Sequence, residues 1–197
     1  MKADIVIVGS GVAGLYCALN LPKEKSIIIV TKNKARRSDS FLAQGGICVL
    51  RDEDDYDSFY EDTMRAGHYE NNPESVDIMI QSSRSVINEL IRYGVRFEKN
   101  GDDFAYTKEG AHSRPRILFH EDETGKEITS HLLEVVKGLP NVTFIEKYTM
   151  VDIVNRNNSC QGIIGHDKDG KYSCILADYT VFATGGIGGL FAHSTNY

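Results

Sequence analysis

Between Asp4 and Gly9 four β-branched residues, Ile5 to Val8, run without a polar break, the pattern of a strand buried on both faces of a parallel sheet. The period then changes. Val12, Leu15, Tyr16 and Leu19, flanked by Cys17 and Ala18, keep helical spacing until Pro22, and the next β-rich run, SIIIVT, returns at 26–31. Strand, helix and strand in that order predict a βαβ unit. A helix-like segment, DYDSFYEDTMRA, covers 55–66 and ends near Gly67. Asn72 then caps, and Pro73 starts, a longer helix that Gly94 stops. Its Val76, Met79, Ile80, Ser83, Val86, Ile87, Leu90 and Ile91 share one face and are expected in the core. ETGKEITSHLLEVVKG, 123–138, is a helix of the same kind, followed by the strand VTFIE. Three more β-rich runs, TMVDIVN, CQGIIGHD and YSCILADYTVFATGG, are divided by the polar turns RNNS and KDGK. They predict an antiparallel meander feeding a final buried strand. The fold class expected is α/β, a Rossmann-like parallel sheet with flanking helices and an antiparallel β-meander.

Composition narrows the partners. With 197 residues, 41% hydrophobic and 25% charged, the chain is expected to be an ordinary globular one with one core, alone or with a small appendage. A net charge of -6 gives no general attraction for polyanions, so neither nucleic acid nor a membrane surface is an expected partner. Cys17, Cys48, Cys160 and Cys174 show no CxxC or CxxH spacing, which argues against a disulfide framework, a zinc site or an iron–sulfur cluster, and no metal is expected. The apolar run IVIV is too short for a signal peptide or a membrane span. A cytoplasmic location is expected. The acidic run Asp52 to Asp55 reads as a solvated face.

The turn between the first strand and helix carries the first chemistry. Gly9, Gly11 and Gly14 stand at the spacing of the dinucleotide fingerprint. Gly9 allows the tight turn, Gly11 lets the backbone approach a pyrophosphate, and Gly14 lets helix and sheet pack closely. Ser10, Val12 and Ala13 complete the turn, and the helix start offers unpaired N–H groups and a positive dipole end to phosphate. At the end of the second strand, where an acidic residue usually binds ribose, the chain has Thr31 and Lys32. Lys32 suits the 2′-phosphate of NADP, Thr31 suits a ribose held without a carboxylate, and Lys32 in solvent is the plain alternative.

The following stretch, SDSFLAQGGI at 38–47, combines short hydroxylated residues with bare backbone. Ser38 and Ser40 can bond phosphate or ribityl oxygens, and Gly45 and Gly46 let main-chain amides approach a flat ring. Such a strap suits a flavin held along its full length. A surface loop has a similar composition.

DIVIVGSGVAGL, SFLAQGGI, EGAHSRPRILFHEDETGKEI and TVFATGGIGGLF, in this order, resemble the succinate dehydrogenase/fumarate reductase flavoprotein family from about residue 3 to residue 196. Within it the likeness is greatest to the branch that oxidises L-aspartate. The resemblance implies FAD as cofactor, held by the glycine turn, by Thr31 and Lys32, and by the strap residues Ser38, Asp39, Ser40, Phe41, Leu42, Ala43, Gln44, Gly45 and Gly46. It adds Met150 and Val151 near the adenine, and Ala183, Thr184 and Gly185 of the ATGG motif. Respiratory members bind FAD covalently through a His five residues before the Gln of AQGG. Asp39 occupies that place here, and a carboxylate cannot form that linkage, so noncovalent FAD is implied. NADP recedes.

The segment TKEGAHSRPRILFH, 107–120, gathers the catalytic candidates. Oxidising a 2-amino acid requires a group for the ammonium, cations for the carboxylates and an acceptor for the Cα hydride. By resemblance Glu109 falls on the family's substrate-side Glu, and His112 and Arg116 fall on motif positions; Arg114 and His120 read equally well as structural. Pro115 departs from the related pattern, which is basic there. The implied reaction takes L-aspartate to iminoaspartate, with O2 or fumarate as electron acceptor, in the first step of NAD biosynthesis, with quinolinate synthase as a candidate partner. The family's principal acid/base Arg, a second clamping Arg and two substrate His residues lie farther along the chain. Residues 1–197 are therefore expected to be the N-terminal part of an FAD-binding domain, lacking capping and C-terminal helical domains and inactive alone. The alternatives are a soluble fumarate reductase or succinate dehydrogenase flavoprotein and a noncatalytic nucleotide-binding module.

Overall fold

A computed structural model of the chain describes residues 1–194. The first part of the chain forms β1 (Lys2–Val8), α1 (Val12–Leu19), β2 (Ile27–Thr31), the single turn α2 (Asp39–Leu42), β3 (Ile47–Cys48), α3 (Tyr56–Ala66) and α4 (Pro73–Arg92). Short strands β4 (Lys99–Asn100), β5 (Asp103–Phe104) and β6 (Ile117–Leu118) precede α5 (Thr124–Lys137). Then come β7 (Val142–Glu146), β8 (Thr149–Arg156), β9 (Ser159–His166) and β10 (Tyr172–Phe182). The chain divides into two compact units: unit 1 is Met1–Leu42 with the chain from Ile128 onward, and unit 2 is Ala43–Glu127.

Unit 1 is a six-stranded sheet in the order β7-β2-β1-β10-β9-β8. β7, β2, β1 and β10 run parallel, whereas β10, β9 and β8 are antiparallel neighbours. The mixed α/β class is therefore as the sequence implies. Ile5, Val6, Ile7 and Val8 are all buried, as are Ile27 to Val30 of β2, because apolar side chains alternate to both faces and both are covered. One layer unites Val6, Val8, Ile28, Val30, Tyr148, Ile163 and Ile175. On the Ile7 face, α1 buries Gly14, Leu15, Ala18 and Leu19, and a Cβ on Gly14 would stand 3.3 Å from Ile7 Cγ2.

The meander feeds the parallel sheet as the sequence implies: β10 is both its last strand and a parallel neighbour of β1. One expectation needs correction, because β10 is not buried throughout: Leu176, Tyr179 and Phe182 are exposed. Its pairing with β9 ends at Leu176, so beyond that point only β1 flanks it among the described residues.

Unit 2 packs α3 against α4 around Leu50, Phe59, Met64, Val76 and Ile80. The Asn72 side chain accepts from the Ser75 N–H at 2.9 Å and Pro73 opens α4, the start the sequence predicts. The apolar stripe of α4 is narrower than expected: Val76, Ile80, Ile87 and Leu90 are buried, but Met79 and Ile91 are exposed. The partner helix α3 has only 11 residues against the 20 of α4, so it covers a seam and not a broad face. The acidic run also departs from expectation. Asp55, at its end, is 1% exposed because it pairs with the buried Arg116. None of the described helices is long and apolar enough to cross a membrane.

Candidate functional site

In unit 1 a cleft of about 590 Å³ opens at the carboxyl ends of β1, β2 and β10, where ligands of open α/β sheets bind. Its walls include Gly9, Ser10, Gly11, Val12 and Ala13 of the turn, Thr31 and Lys32, Ser38, Asp39 and Ser40, Met150, and Ala183, Thr184 and Gly185. Sequence reasoning singled out each of these. It missed Arg37, Tyr148 and Thr149, which also line the cleft; Arg37 was legible as the basic residue immediately before the strap. Val151 stands outside the lining and is half-exposed on β8.

Local backbone requirements explain the glycines. Gly9 has φ +116, and a Cβ there would fall 2.1 Å from the Ala183 carbonyl oxygen. Gly14 supports the turn from beneath, since its Cβ would stand 2.1 Å from Gly9 O. Gly11 is the N-cap residue of α1, with no side-chain cap, so the helix start faces the cleft as bare backbone. Ser40 Oγ accepts the Val12 N–H at 3.1 Å. Ser10 contributes only main chain there, because its buried hydroxyl donates to Ala35 O at 3.0 Å. Thr31 is buried and Lys32 exposed.

The strap is not loop throughout. Ser38 Oγ accepts the Phe41 N–H at 3.2 Å, and that cap winds Asp39–Leu42 into one helical turn. Asp39 leans toward Gly185, where a Cβ would meet its carboxylate at 3.9 Å. The remainder, Ala43 to Gly46, belongs to unit 2. There Gln44 donates to Asp122 at 3.1 Å, and a Cβ on Gly45 would lie 3.5 Å from the Glu109 carboxylate. Gly46 has a packing reason of its own, as a Cβ would strike Ile117 Cγ2 at 2.3 Å.

The catalytic candidates all fall in unit 2, but in unlike surroundings. Glu109 is exposed. Arg116 is completely buried and its guanidinium is bonded to Asp55, Asp62, Ser58 and His112, so a clamp on a substrate carboxylate is not the posture it holds here. Phe59 covers it, with the guanidinium carbon 4.9 Å from the ring centroid. Arg114 reaches Asp54 O, and His120 lies 3.8–3.9 Å from Glu127 and Glu98, so both are tied to protein groups. Burial pushes the Asp62 carboxyl up, but the Ser113 N–H, Arg116 and the Ser113 hydroxyl outweigh it and hold the group down at about 2. Asp55 is lowered as well, its burial outweighed by Arg116 and Ser58. Burial, then the Arg116 charge, lowers His112, and burial raises the Cys48 thiol. Sequence reasoning missed Asp55, Ser58, Asp62 and Ser113. The signal available was Asp55, Phe59 and Asp62 at i, i+4 and i+7, two acids on the apolar face of one helix.

The glycine turn, the bare helix start and the sheet topology define a dinucleotide-binding protein of the Rossmann-like class. The chain belongs to the FAD binding domain family, whose model matches residues 4–197, and FAD is its cofactor. It is 50% identical to an L-aspartate oxidase of Clostridium perfringens over 98% of this chain and 44% of that protein. An L-aspartate oxidase of Bacillus subtilis is 33% identical over 99% of this chain and 37% of its own length. The chain thus spans less than half the length of these curated relatives. Among solved structures, Mycobacterium smegmatis Sdh1 in complex with UQ1 superposes with a TM-score of 0.91 at 25% identity, covering 100% of this chain and 36% of that one. A mutated FrdA chain of E. coli quinol fumarate reductase gives 0.94 at 24% identity, covering 100% and 35%, a likeness of fold.

The cleft fits the dinucleotide. A Cβ on Gly11 would stand 3.1 Å from Ser40 Oγ and 3.7 Å from Ser38 Cβ, so any side chain there would fill the space between turn and strap. That cradle carries N–H and hydroxyl groups with Lys32 and Arg37 nearby, a donor set suited to a diphosphate.

Proposed function

We propose that these residues are the N-terminal, cofactor-holding part of an FAD-dependent L-aspartate oxidase that converts L-aspartate to iminoaspartate. The observation that carries the reading is 50% identity to a curated enzyme of that name over 98% of this chain. When bound, FAD supplies the two-electron acceptor for the Cα–H bond of the amino acid.

The protein's own groups have separable tasks. The turn from Gly9 to Gly14 and the hydroxyls of Ser38 and Ser40 hold the diphosphate, while Thr31 and Lys32 take the ribose end. Met150 passes the adenine, and Ala183 to Gly185 close the far wall of the cleft. Asp39 supports noncovalent attachment, since it stands where covalent relatives have their His. Phe41, Leu42, Ala43, Gln44, Gly45 and Gly46 complete the strap as the chain passes out of unit 1. Glu109, exposed and beside Gly45, orients the substrate ammonium. His112 takes a carboxylate oxygen, and Arg116 acts from behind it.

O2 or fumarate serves as electron acceptor, and the iminoaspartate feeds quinolinate synthase in NAD biosynthesis in the cytoplasm. Because the family's carboxylate clamps lie farther along the chain, residues 1–197 alone do not turn over aspartate. The second reading, a soluble fumarate reductase or succinate dehydrogenase flavoprotein, draws support from the fold likeness to Sdh1. Comparing aspartate with succinate as reductant of the full-length enzyme's flavin separates the two: bleaching by aspartate is the expected result, and bleaching by succinate alone overturns the proposal. Acid precipitation should release the flavin into the supernatant, which tests noncovalent attachment.

A further inference from the structure

The side-chain cluster around Arg116 fixes more than its own charge balance. A guanidinium has five N–H groups and no acceptor, and here every one is directed at a protein partner. Nε faces the Asp55 carboxylate, 3.1 Å from Oδ2. Nη1 donates to Asp62 Oδ2 at 2.7 Å and to His112 Nδ1 at 3.0 Å. Nη2 donates to Asp55 Oδ1 and to Ser58 Oγ, each at 2.8 Å.

The contact with His112 has one consistent proton arrangement. Arginine neither accepts a hydrogen bond nor loses its proton in this setting, so Nδ1 must offer its lone pair. The ring proton of the neutral imidazole then sits on Nε2, and the partner of Nε2 is Cys48 Sγ at 3.3 Å. We propose that Arg116 is a positioning residue that fixes His112 as the neutral Nε2–H tautomer, a hydrogen-bond donor and not a proton acceptor in the unit 2 cavity.

That cavity, about 680 Å³, has Cys48, His112, Phe59 and Asp62 in its walls. A cysteine beside a histidine suggests a nucleophile with its base. The cluster forbids it. Taking the Cys48 proton onto Nε2 requires a ring already protonated at Nδ1 and yields an imidazolium, and in both forms the Nδ1–H would point at the Arg116 Nη1 donor only 3.0 Å away. The charged and titratable groups acting on His112 are Arg116 and Glu109 from its own segment, Asp62 from α3, Asp55 from the turn before α3, and Cys48 from β3. Burial and Arg116 outweigh the three carboxylates and favour the neutral ring. If the amino-acid oxidase reading holds, and only for this last step is it needed, His112 donates to a carboxylate oxygen and proton transfer falls to another group.

The test needs no turnover. Two-bond ¹H–¹⁵N NMR of the ¹⁵N-labelled chain, with His112 assigned from its loss in His112→Asn, reads the tautomer directly. A pyrrole-like Nε2 and a pyridine-like Nδ1 at about pH 8 is the expected pattern. An imidazolium at that pH, or an Nδ1–H ring, overturns the proposal. In Arg116→Lys a compact ammonium cannot serve Asp55, Asp62 and Nδ1 together, so Nδ1 loses its fixed donor and His112 should show a mixture of tautomers; an unchanged tautomer in that variant would sink the assignment to Arg116. Iodoacetamide labelling of Cys48, resolved by peptide mass spectrometry, reads the other side of the contact and does not depend on that variant folding. Its rate should still be climbing above the ordinary thiol value of about 8.5, with no plateau below, whereas a rate already level near pH 6 would reveal a thiolate–imidazolium pair and refute the claim. Failure of the aspartate reading would leave both measurements standing.

Discussion

The glycine cradle of unit 1 and the Arg116 cluster of unit 2 solve opposite problems. The cradle meets charge with main-chain N–H groups and short hydroxyls along the wall of an open cleft, where the Ser40 hydroxyl holds the Val12 N–H. The cluster surrounds one cation with two carboxylates, each at most 3% exposed, and encloses all three. Bare backbone can wait for an outside anion because water solvates it meanwhile. A buried guanidinium cannot wait, since an uncompensated charge in the interior costs several kcal/mol. Binding chemistry therefore sits where the backbone is exposed, and stability chemistry where the charges are closed on themselves.

The strongest way to break this contrast is to remove the cation. Arg116→Leu leaves Asp55 and Asp62 buried without their partner, and about 3–5 kcal/mol of stability should be lost. Urea unfolding followed by circular dichroism measures it. A loss below about 1 kcal/mol would mean that the cluster is wetter than its burial indicates.

Acid should act next, through the same carboxylates. Asp62 is held down at about 2 in the folded protein, against about 3.9 in an unfolded chain. A depressed carboxyl contributes stability that is fully present above the unfolded value and fades as pH falls through the folded one. The urea midpoint should therefore drop between about pH 4 and pH 2, and Asp55, shifted in the same direction, adds to the fall. His112, lowered in the fold, contributes with the same sign at higher pH: stability present above about 6.5 declines as the unfolded chain takes up its proton.

The cradle should respond in the reverse sense, with binding lost and stability kept. In Gly11→Ala the new methyl stands 3.1 Å from Ser40 Oγ, a side-chain atom that can turn aside. The fold should tolerate it, with a melting temperature within a few degrees of the parent. FAD, which needs the space the methyl takes, should bind about tenfold more weakly, roughly 1.4 kcal/mol. Flavin fluorescence quenching and a thermal melt read the two quantities separately, and a large loss of stability at unchanged affinity would overturn the division between the units.

Legibility in the sequence follows the same division. Gly9, Gly11 and Gly14 advertise the cradle because its parts are neighbours along the chain and their spacing reflects one local turn. The βαβ order and the meander were legible for the same reason, as each rests on a local period. Asp55 and Asp62 come from 61 and 54 residues before Arg116, and no local pattern joins them to it. The run Asp52 to Asp55 therefore looked like a solvated face although its last member is buried. Met79 and Ile91 were misplaced because periodicity gives the direction of an apolar face but not the width of what covers it. The helical turn at Asp39–Leu42 escaped notice because one Ser38 cap, and no periodicity, creates it.

The smallest effect tests whether local signals also carry local energy. Asn72 accepts the Ser75 N–H at 2.9 Å at an exposed site, and α4 has Pro73 and Glu74 in its first turn to help fix its start. Asn72→Ala removes one capping bond and leaves the buried Val76 and Ile80 untouched, so about 1 kcal/mol should go. That loss should appear as a shift in urea midpoint with an unchanged slope, because no additional surface is exposed on unfolding. His112 should keep its tautomer, since its bonds to Arg116 and Cys48 do not involve Asn72. A change in the His112 NMR pattern on this substitution would mean that α4 and the charge cluster do not respond independently, and would blur the line between local and closed-in chemistry.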